Sequence, residues 1–189
     1  EYADGYYREH HRQDEYYLSA TVLYHPLEPL TFSLAQDGVI NKLRNSLPEC
    51  PFPIRYTSIS ALNARYQQDW FTAVASLVHT ATSEHVEQGN APDNFHRFAP
   101  SFSVSLQPWQ EETLFLRLMY KSTFRLPTFN DLYYYRLGNR DLRPEKANEY
   151  NLGITWSKSG LLFLDYLSMT VDGYYNDVTD KIVAFPTTY

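Results

Sequence analysis

Connections of two lengths alternate along this chain. Short breaks occur near residues 26, 68, 108 and 159, and long segments without strand periodicity occupy residues 37–53, 80–95 and 122–146. A soluble β-sandwich has no reason to keep every second connection long. An outer-membrane barrel does, since its periplasmic turns are short and its extracellular loops are long. The alternation therefore favours a transmembrane β-barrel, or a section of one.

Between these connections, apolar and polar side chains alternate with the period of two that is typical of β-strands. Four hairpins are predicted: 15–25 with 30–35, 56–67 with 70–79, 97–106 with 114–121, and 150–156 with 161–175, the last pair joined by a tight turn at 157–160. Residues 1–13 are predicted to be a loop, and residues 178–185 the start of a ninth strand. The fold class is therefore all-β, an antiparallel up-and-down meander of about eight strands.

The two faces of the predicted strands differ in chemistry. Phe102, Val104 and Leu106 alternate with serines, and the leucines at 114, 116 and 118 alternate with Arg117 and, further on, Lys121. Serines and cations suit a water-filled lumen, whereas the apolar set suits lipid. We expect the two apolar sets to share one face, with Ser103 and Arg117 on the other.

Composition sets wider limits on the class of protein. Tyrosine occurs 17 times and aromatic residues make up 16% of the chain, which suits a membrane–water boundary but also a carbohydrate-binding β-sandwich with exposed rings. No run of 18 apolar residues is present, so a transmembrane helix is not predicted. The net charge of −6 and the scattered cations give no footprint for nucleic acid. Cys50 is the only cysteine, so no internal disulfide is possible.

The segment from 124 to 156 carries the strongest local signals. Pro127 and Pro144 remove amide donors and fix φ, so neither a central strand nor a helix interior runs through them. Gly138 and Asn139 tolerate positive φ and mark a turn. A long, ordered loop that leads into a strand is therefore predicted, with Asp131 within reach of Arg125.

This segment resembles the TonB-dependent outer-membrane receptors, which carry a Phe-Arg-x-Pro box, an aromatic loop and a Gly-Asn-x-x-Leu-x-Pro-Glu box that opens a barrel strand. The matching residues are Phe124, Arg125, Pro127, Phe129, Leu132, Tyr133, Gly138, Asn139, Leu142, Pro144 and Glu145. The resemblance implies a 22-stranded barrel plugged by an N-terminal domain. Residues 1–189 are then one partial β-barrel domain, excised from a larger receptor without its plug.

The resemblance also implies a location and partners. We expect the bacterial outer membrane, contact with its lipid, uptake of a small ligand such as a siderophore, cobalamin or another nutrient, and contact with TonB through the missing plug. Tyr133, Tyr134, Tyr135 and Arg136 are the predicted ligand-binding residues, whereas the box residues are expected to shape the loop. Receptors for haem often carry a histidine between the boxes, and none lies between Phe124 and Glu145 here.

No motif for catalysis is found, so the chain is predicted not to be an enzyme, and no metal or cofactor site is predicted. Glu84, His85 and Glu87 are close enough in sequence for a weak metal site, but a solvated loop is the simpler interpretation. The alternative function is a soluble, aromatic-rich carbohydrate-binding or adhesion module built as a β-sandwich.

Overall fold

A computed structural model describes residues 10–46, 51–109, 113–133, 138–161 and 164–183. This part of the chain forms eight strands and one short helix. The strands are β1 (His11–Leu27), β2 (Leu30–Asn45), β3 (Ile54–Gln68), β4 (Phe71–His85), β5 (Phe95–Leu106), β6 (Thr113–Arg125), β7 (Glu145–Leu161) and β8 (Leu164–Thr179), and the helix is α1 (Phe129–Tyr133). No helix in the described ranges is both long and apolar enough to cross a membrane.

The eight strands form a single antiparallel sheet in the order β1-β2-β3-β4-β5-β6-β7-β8. Each strand pairs with its neighbour in sequence, which confirms the predicted meander. The sheet is open, because β1 and β8 do not pair with each other. All described strands belong to this one sheet, so the β-sandwich alternative is wrong.

The register confirms the predicted faces. Val104 lies opposite Leu118 and Leu106 opposite Leu116, so the two apolar sets share one face, the outward face. Ser105 lies opposite Arg117 on the inner face. Because side chains alternate strictly along a strand, these pairs fix the face of every neighbouring position in the register.

Several strands are longer than the sequence predicted. β2 continues through the Asp37-Gly38 pair to Asn45, and β4 continues to His85, so the expected loops 37–53 and 80–95 shrink to 46–53 and 86–94. Both extensions pair with a neighbouring strand along their length, and these backbone hydrogen bonds override the local turn signal. The three longer connections still emerge at one end of the sheet, called here the long-loop end.

Three further predictions of local structure were wrong. β7 runs through the expected turn at 157–160 to Leu161, and Gly160, with φ of 67°, lies close to the actual reversal. β8 ends at Thr179, and residues 180–183 are not in a strand, so the proposed ninth strand at 178–185 fails in its described part. β1 begins at His11, inside the segment 1–13 that was expected to be a loop.

The inner face carries an ion pair that crosses β7 at a glycine. Arg117 Nη2 lies 3.1 Å from Asp172 Oδ1, and Arg117 Nη1 donates to Thr155 Oγ1 at 3.0 Å. A Cβ on Gly153 would collide with both charged groups. Glycine at this position is therefore explained by the close approach of two side chains from the flanking strands.

The apolar band on the outward face shifts along the strands across the sheet. At the long-loop end it begins at Tyr16 on β1, next to Asp14, and at Tyr175 on β8, next to Asp177. Following register partners from Tyr175 on β8 across the sheet ends at Tyr24 on β1. The edge of the band on β1, Tyr16, is therefore displaced by eight residues along the strand. Eight residues span about 26 Å and seven strand spacings about 34 Å, so the strands tilt by about 38° from the membrane normal. Transmembrane barrels tilt their strands by about 35–45°.

Candidate ligand-binding cleft

The connection between β6 and β7, residues 126–144, begins with a reciprocal cap on α1. The backbone N–H of Thr128 donates to Asp131 Oδ2 at 2.8 Å, and the N–H of Asp131 donates to Thr128 Oγ1 at 3.2 Å. This is the arrangement of a capping box, in which two otherwise unpaired donors at the start of a helix are satisfied. Arg125 adds an ion pair to Asp131 at 3.1 Å, as the sequence suggested.

Two apolar side chains fix α1 against the sheet. Phe129 and Leu132 are buried, with 7% and 3% of their surface exposed. The guanidinium of Arg55, at the start of β3, lies over the Phe129 ring with 4.9 Å between its central carbon and the ring centroid. The connection therefore reaches back from β6 to the ends of β3 and β4.

A buried polar group completes this contact. Arg55 Nε lies 2.7 Å from Glu84 Oε2, and the Tyr133 hydroxyl donates to the other carboxylate oxygen of Glu84. The side chains of Arg55 and Glu84 are only 13% and 5% exposed. Because Arg55 and Glu84 are register partners on β3 and β4, the pair also spans two strands. We call Arg55, Glu84 and Tyr133 the loop anchor.

The electrostatics of the loop follow from these contacts. Burial raises the pKa of Tyr133 well above its ordinary value, and its hydrogen bond to the Glu84 carboxylate raises it further. The tyrosine therefore stays neutral and remains a donor. For Asp131, burial acts to raise the pKa, but the hydrogen bonds from Thr128 and the charge of Arg125 more than offset it, so the net pKa is lowered.

The second half of the loop is held by turn contacts. The N–H of Asn139 donates to the carbonyl of Asp131 at 2.9 Å, and Asn139 Oδ1 accepts the N–H of Asp141 at 2.9 Å, which is an Asx turn. The guanidinium of Arg140 lies 5.4 Å from the centroid of the Tyr133 ring and against Gly89, whose φ of 84° belongs to the left-handed region. The loop therefore contacts the 86–94 connection as well as the strands.

A cleft of about 930 Å³ lies between these two connections and the ends of the strands. Its lining combines two residues of the loop anchor, Arg55 and Glu84, with the charged loop residues Asp93, Arg140, Asp141 and Arg143. Arg140 and Arg143 are exposed and make no ion pair in the described part of the chain. Thr82, only 9% exposed, also lines the cleft, and its hydroxyl has no hydrogen-bond partner there.

The predicted site residues fall into two groups. The box residues lie in or beside the loop. Pro127 is buried, the Phe124 ring packs at a tilt against Phe95 with 5.3 Å between ring centroids, and Glu145 accepts the N–H of Ile182 at 3.0 Å. Of the predicted ligand-binding residues, Tyr133 is turned to Glu84. Tyr134, Tyr135 and Arg136 lie outside the described residues, so their role stays a prediction.

Sequence reasoning missed the residues that face the loop from the strands. Arg55 and Glu84 were not singled out as partners, because they lie far from Tyr133 in sequence. Glu84 and His85 were expected in a solvated loop, but both lie in β4, where alternation places Glu84 with Arg55 on the inner face and His85 with Ile54 on the outward face. Within the described ranges, no group of three metal-ligating side chains comes together.

Comparison with known proteins decides the class. The family model described as "TonB dependent receptor-like, beta-barrel" matches residues 5–189, nearly the whole chain. The chain belongs to the TonB-dependent receptor family. This confirms the resemblance seen in the two boxes, and the family consists of receptors and transporters of the bacterial outer membrane.

Individual relatives agree with this membership. The vitamin B12 transporter BtuB of Vibrio vulnificus (strain YJ016) is 34% identical over 64 residues, which cover 34% of this chain and 10% of BtuB. Two solved TonB-dependent receptors share the fold: the hemophore receptor HasR of Serratia marcescens, solved with the hemophore HasA and heme, and the alcaligin outer-membrane receptor FauA of Bordetella pertussis. Their TM-scores are 0.65 and 0.51, at 15% and 13% identity over 90% and 89% of this chain.

The chain spans 33% of the HasR chain and 30% of the FauA chain, so it corresponds to about a third of a receptor of this kind. At such low identity these structures support the fold alone. Eight strands in an open sheet, tilted by about 38°, are what a section of a transmembrane barrel requires.

Proposed function

We propose that this chain forms part of the wall and mouth of an outer-membrane receptor that takes up a small ligand, such as a siderophore, cobalamin or another nutrient, by TonB-dependent transport. The named relatives include a vitamin B12 transporter, a hemophore receptor and an alcaligin receptor, whose ligands differ in chemistry. Membership of the TonB-dependent receptor family supports uptake as the activity, and the differing relatives do not identify the ligand. Contact with TonB belongs to a plug domain outside this chain, and the outward face contacts outer-membrane lipid.

The cleft at the long-loop end is the observation that carries this proposal. Its volume of about 930 Å³ lies within the range of small-molecule sites, about 300–1,000 Å³. Among the described residues, the exposed Arg140 and Arg143 have no carboxylate partner there, and the buried Thr82 hydroxyl has no hydrogen-bond partner. Unpaired donors at the rim and floor of an otherwise ordered cleft are groups that a ligand with oxygen acceptors satisfies.

The predicted residues Tyr134, Tyr135 and Arg136 complete the proposed site. In the chain they are bracketed by Arg140, which lines the cleft, and by Tyr133, whose ring contacts Arg140. Tyrosine rings offer flat, amphipathic surfaces for stacking, and an arginine binds anionic groups in a bidentate manner. Tyr133 itself is proposed to support the loop through Glu84, while its two neighbours meet the ligand.

The test uses the full-length receptor and a panel of ferric siderophores and cobalamin. Equilibrium binding should find at least one ligand whose affinity falls about 10-fold to 100-fold in the Arg140→Gln/Arg143→Gln double variant, as expected for lost charge-assisted hydrogen bonds. Lys158→Gln, which removes an exposed charge at the opposite end of β7, is the matched control and should bind as the wild type does. Equal affinities of the double variant and the wild type for every bound ligand would contradict the proposed site.

Uptake gives a second measurement. Tyr134→Ala should lower ligand uptake by cells that carry the receptor, with the amount of folded receptor in the outer membrane unchanged. A deletion strain that grows on every ligand of the panel as well as its parent does would contradict the uptake function itself.

A further inference from the structure

A second concavity lies on the outward face, away from the cleft. This groove of about 650 Å³ has a floor of three small residues in adjacent strands, Gly38 on β2, Ser58 on β3 and Ala81 on β4, which are consecutive register partners. Tyr16 and Tyr56 stand at its edge nearer the long-loop end, with 57% and 48% of their surface exposed. In a receptor barrel this face meets lipid, so the groove opens into the membrane near its outer boundary.

Gly38 has no local structural reason to be glycine. It lies in the interior of β2 with an unbroken register to both neighbours, and it is not among the residues with positive φ. A Cβ added to it would meet no atom within 4 Å. Glycine inside a strand weakens the strand, and where neither a bulge nor a bend requires it, it marks the close approach of a ligand or another backbone. No backbone approaches Gly38 on this face in the described structure.

The chemistry around the groove changes in a fixed order along the strands. The ammonium of Lys42 lies over the Tyr16 ring, 5.5 Å from its centroid, at the long-loop end. Next come hydrogen-bonding side chains, since Gln36 Nε2 donates to Ser58 Oγ at 3.1 Å and Gln36 Oε1 accepts from Ser60. One register step further, Leu34 lies opposite Leu62. Along β2 the order therefore runs from Lys42, past Ile40, to the polar level of Gly38 and Gln36 and then to Leu34, over eight residues or about 26 Å of strand.

This order matches that of a membrane lipid in the outer leaflet. A head group lies at the membrane surface, the ester or amide linkages lie just below it, and the acyl chains lie deepest. Polar side chains that face lipid are costly unless they have a polar partner. Gln36, Ser58 and Ser60 lie at the depth where lipid linkages offer further acceptors.

The charge of Lys42 is available to such a head group. Asp14, its register partner on β1, is held by Arg12 at 3.0 Å. Lys42 makes no ion pair in the described part of the chain, and its ammonium group contacts the Tyr16 ring. The cation therefore favours an anionic head group over a neutral one.

We propose that the groove binds one lipid with an anionic phosphate head group from the outer leaflet. The head group pairs with Lys42 beside Tyr16, the linkage region lies over Gly38 and Ser58, and an acyl chain continues over Leu34 and Leu62. This is an ordered binding site on the barrel wall, distinct from the general contact of the outward face with lipid.

Native mass spectrometry of the full-length receptor, titrated with phosphatidylglycerol or phosphatidylcholine in detergent, tests the proposal. Gly38→Leu fills the groove, and because the added atoms have open space it should not impair folding. The matched control is Gly173→Leu, on the outward face of β8, where an added Cβ meets only the Leu152 carbonyl at 4.0 Å. Thermal unfolding of each variant reports whether the barrel is intact.

The wild type and Gly173→Leu should each retain one more phosphatidylglycerol molecule than Gly38→Leu. Lys42→Gln should weaken phosphatidylglycerol binding about fivefold and leave phosphatidylcholine binding unchanged. Equal retention by Gly38→Leu and the wild type would overturn the site. Equal binding of the two lipids by the wild type, or the same affinity for phosphatidylglycerol with and without Lys42, would overturn the assignment of an anionic head group, because both lipids carry a phosphate and only phosphatidylglycerol carries a net negative charge.

Discussion

Replacing Arg55 by methionine should loosen the loop anchor and, with it, the whole β6–β7 connection. The Glu84 carboxylate is 5% exposed and accepts hydrogen bonds from Arg55 and Tyr133. Without Arg55 it keeps one neutral donor and little access to water. Removing one partner of a buried ion pair costs about 3–5 kcal/mol, because the remaining charge is left uncompensated. We expect local opening of the loop to relieve a large part of this destabilisation, because opening re-exposes the Glu84 carboxylate to water.

An exposed ion pair in the same loop provides a comparison for the size of this destabilisation. Arg125 and Asp131 lie 3.1 Å apart, but their side chains are 52% and 23% exposed. Exposed pairs contribute about 0–1 kcal/mol. Arg125→Met should therefore destabilise the loop several-fold less than Arg55→Met does. The double variant Arg55→Met/Glu84→Met should be more stable than Arg55→Met alone, because it removes the unpaired charge and leaves an apolar contact.

Hydrogen exchange on the full-length receptor without ligand is the direct assay. In Arg55→Met, amides of residues 128–133 should lose about 100-fold or more of their protection, while amides at the centre of the sheet should keep theirs. Similar protection in Arg55→Met and Arg125→Met would refute the argument from burial. An Arg55→Met/Glu84→Met variant that is less stable than Arg55→Met would refute the argument from the unpaired carboxylate.

Three further outcomes are expected. Phe129→Ala should lower the free energy of unfolding by about 3–5 kcal/mol, because a buried ring is replaced by a cavity, and urea unfolding in lipid checks this. Leu116→Arg should destabilise the barrel in lipid vesicles by about 2–4 kcal/mol, whereas Ser103→Arg on the inner face should not, and equal folding yields would contradict the face assignment. Because the pKa of Asp131 is lowered, its stabilisation is complete above the ordinary value of about 3.9 and is lost as the pH falls through the lower folded value. The protection factor of the Thr128 amide, which corrects for the intrinsic exchange rate at each pH, should therefore fall below about pH 4 in the wild type and not in Asp131→Asn.

The fold could be predicted from the sequence because its signals are local. Alternation places residues such as Leu118 and Arg117 on opposite faces whatever the neighbouring strand is, and the alternation of loop lengths sets the meander. The ends of the strands could not be predicted. The Asp37-Gly38 pair reads as a turn in isolation, but Gly38 pairs with Leu18 and Ser58 in the sheet, and those hydrogen bonds form only after the neighbouring strands have assembled.

The candidate cleft was predictable only in part, for the same reason. The boxes indicate an ordered loop, and Arg125 and Asp131 are near enough in sequence for their pairing to be expected. The loop anchor brings together Arg55, Glu84 and Tyr133, and no local pattern relates these three positions. The sequence shows only that Arg55 and Glu84 are charged residues near strand ends, and this does not predict which residue each one contacts.

The position of the loop anchor has a consequence for ligand binding. The loop leaves the sheet between β6 and β7 but is fixed on β3 and β4, about 10–15 Å away along the wall at about 4.8 Å per strand. Arg55 and Glu84 lie on the inner face, so the loop crosses on the lumen side and narrows the mouth. A ligand that contacts Arg140 or Arg143 therefore binds more tightly when the loop is held by the anchor than when the loop has detached from Arg55 and Glu84. By linkage, such a ligand stabilises the anchor, and a variant that opens the loop weakens ligand binding by the same free energy. Arg55→Met should thus lower ligand affinity although Arg55 is nearly buried, and saturating ligand should restore the exchange protection of residues 128–133 in that variant.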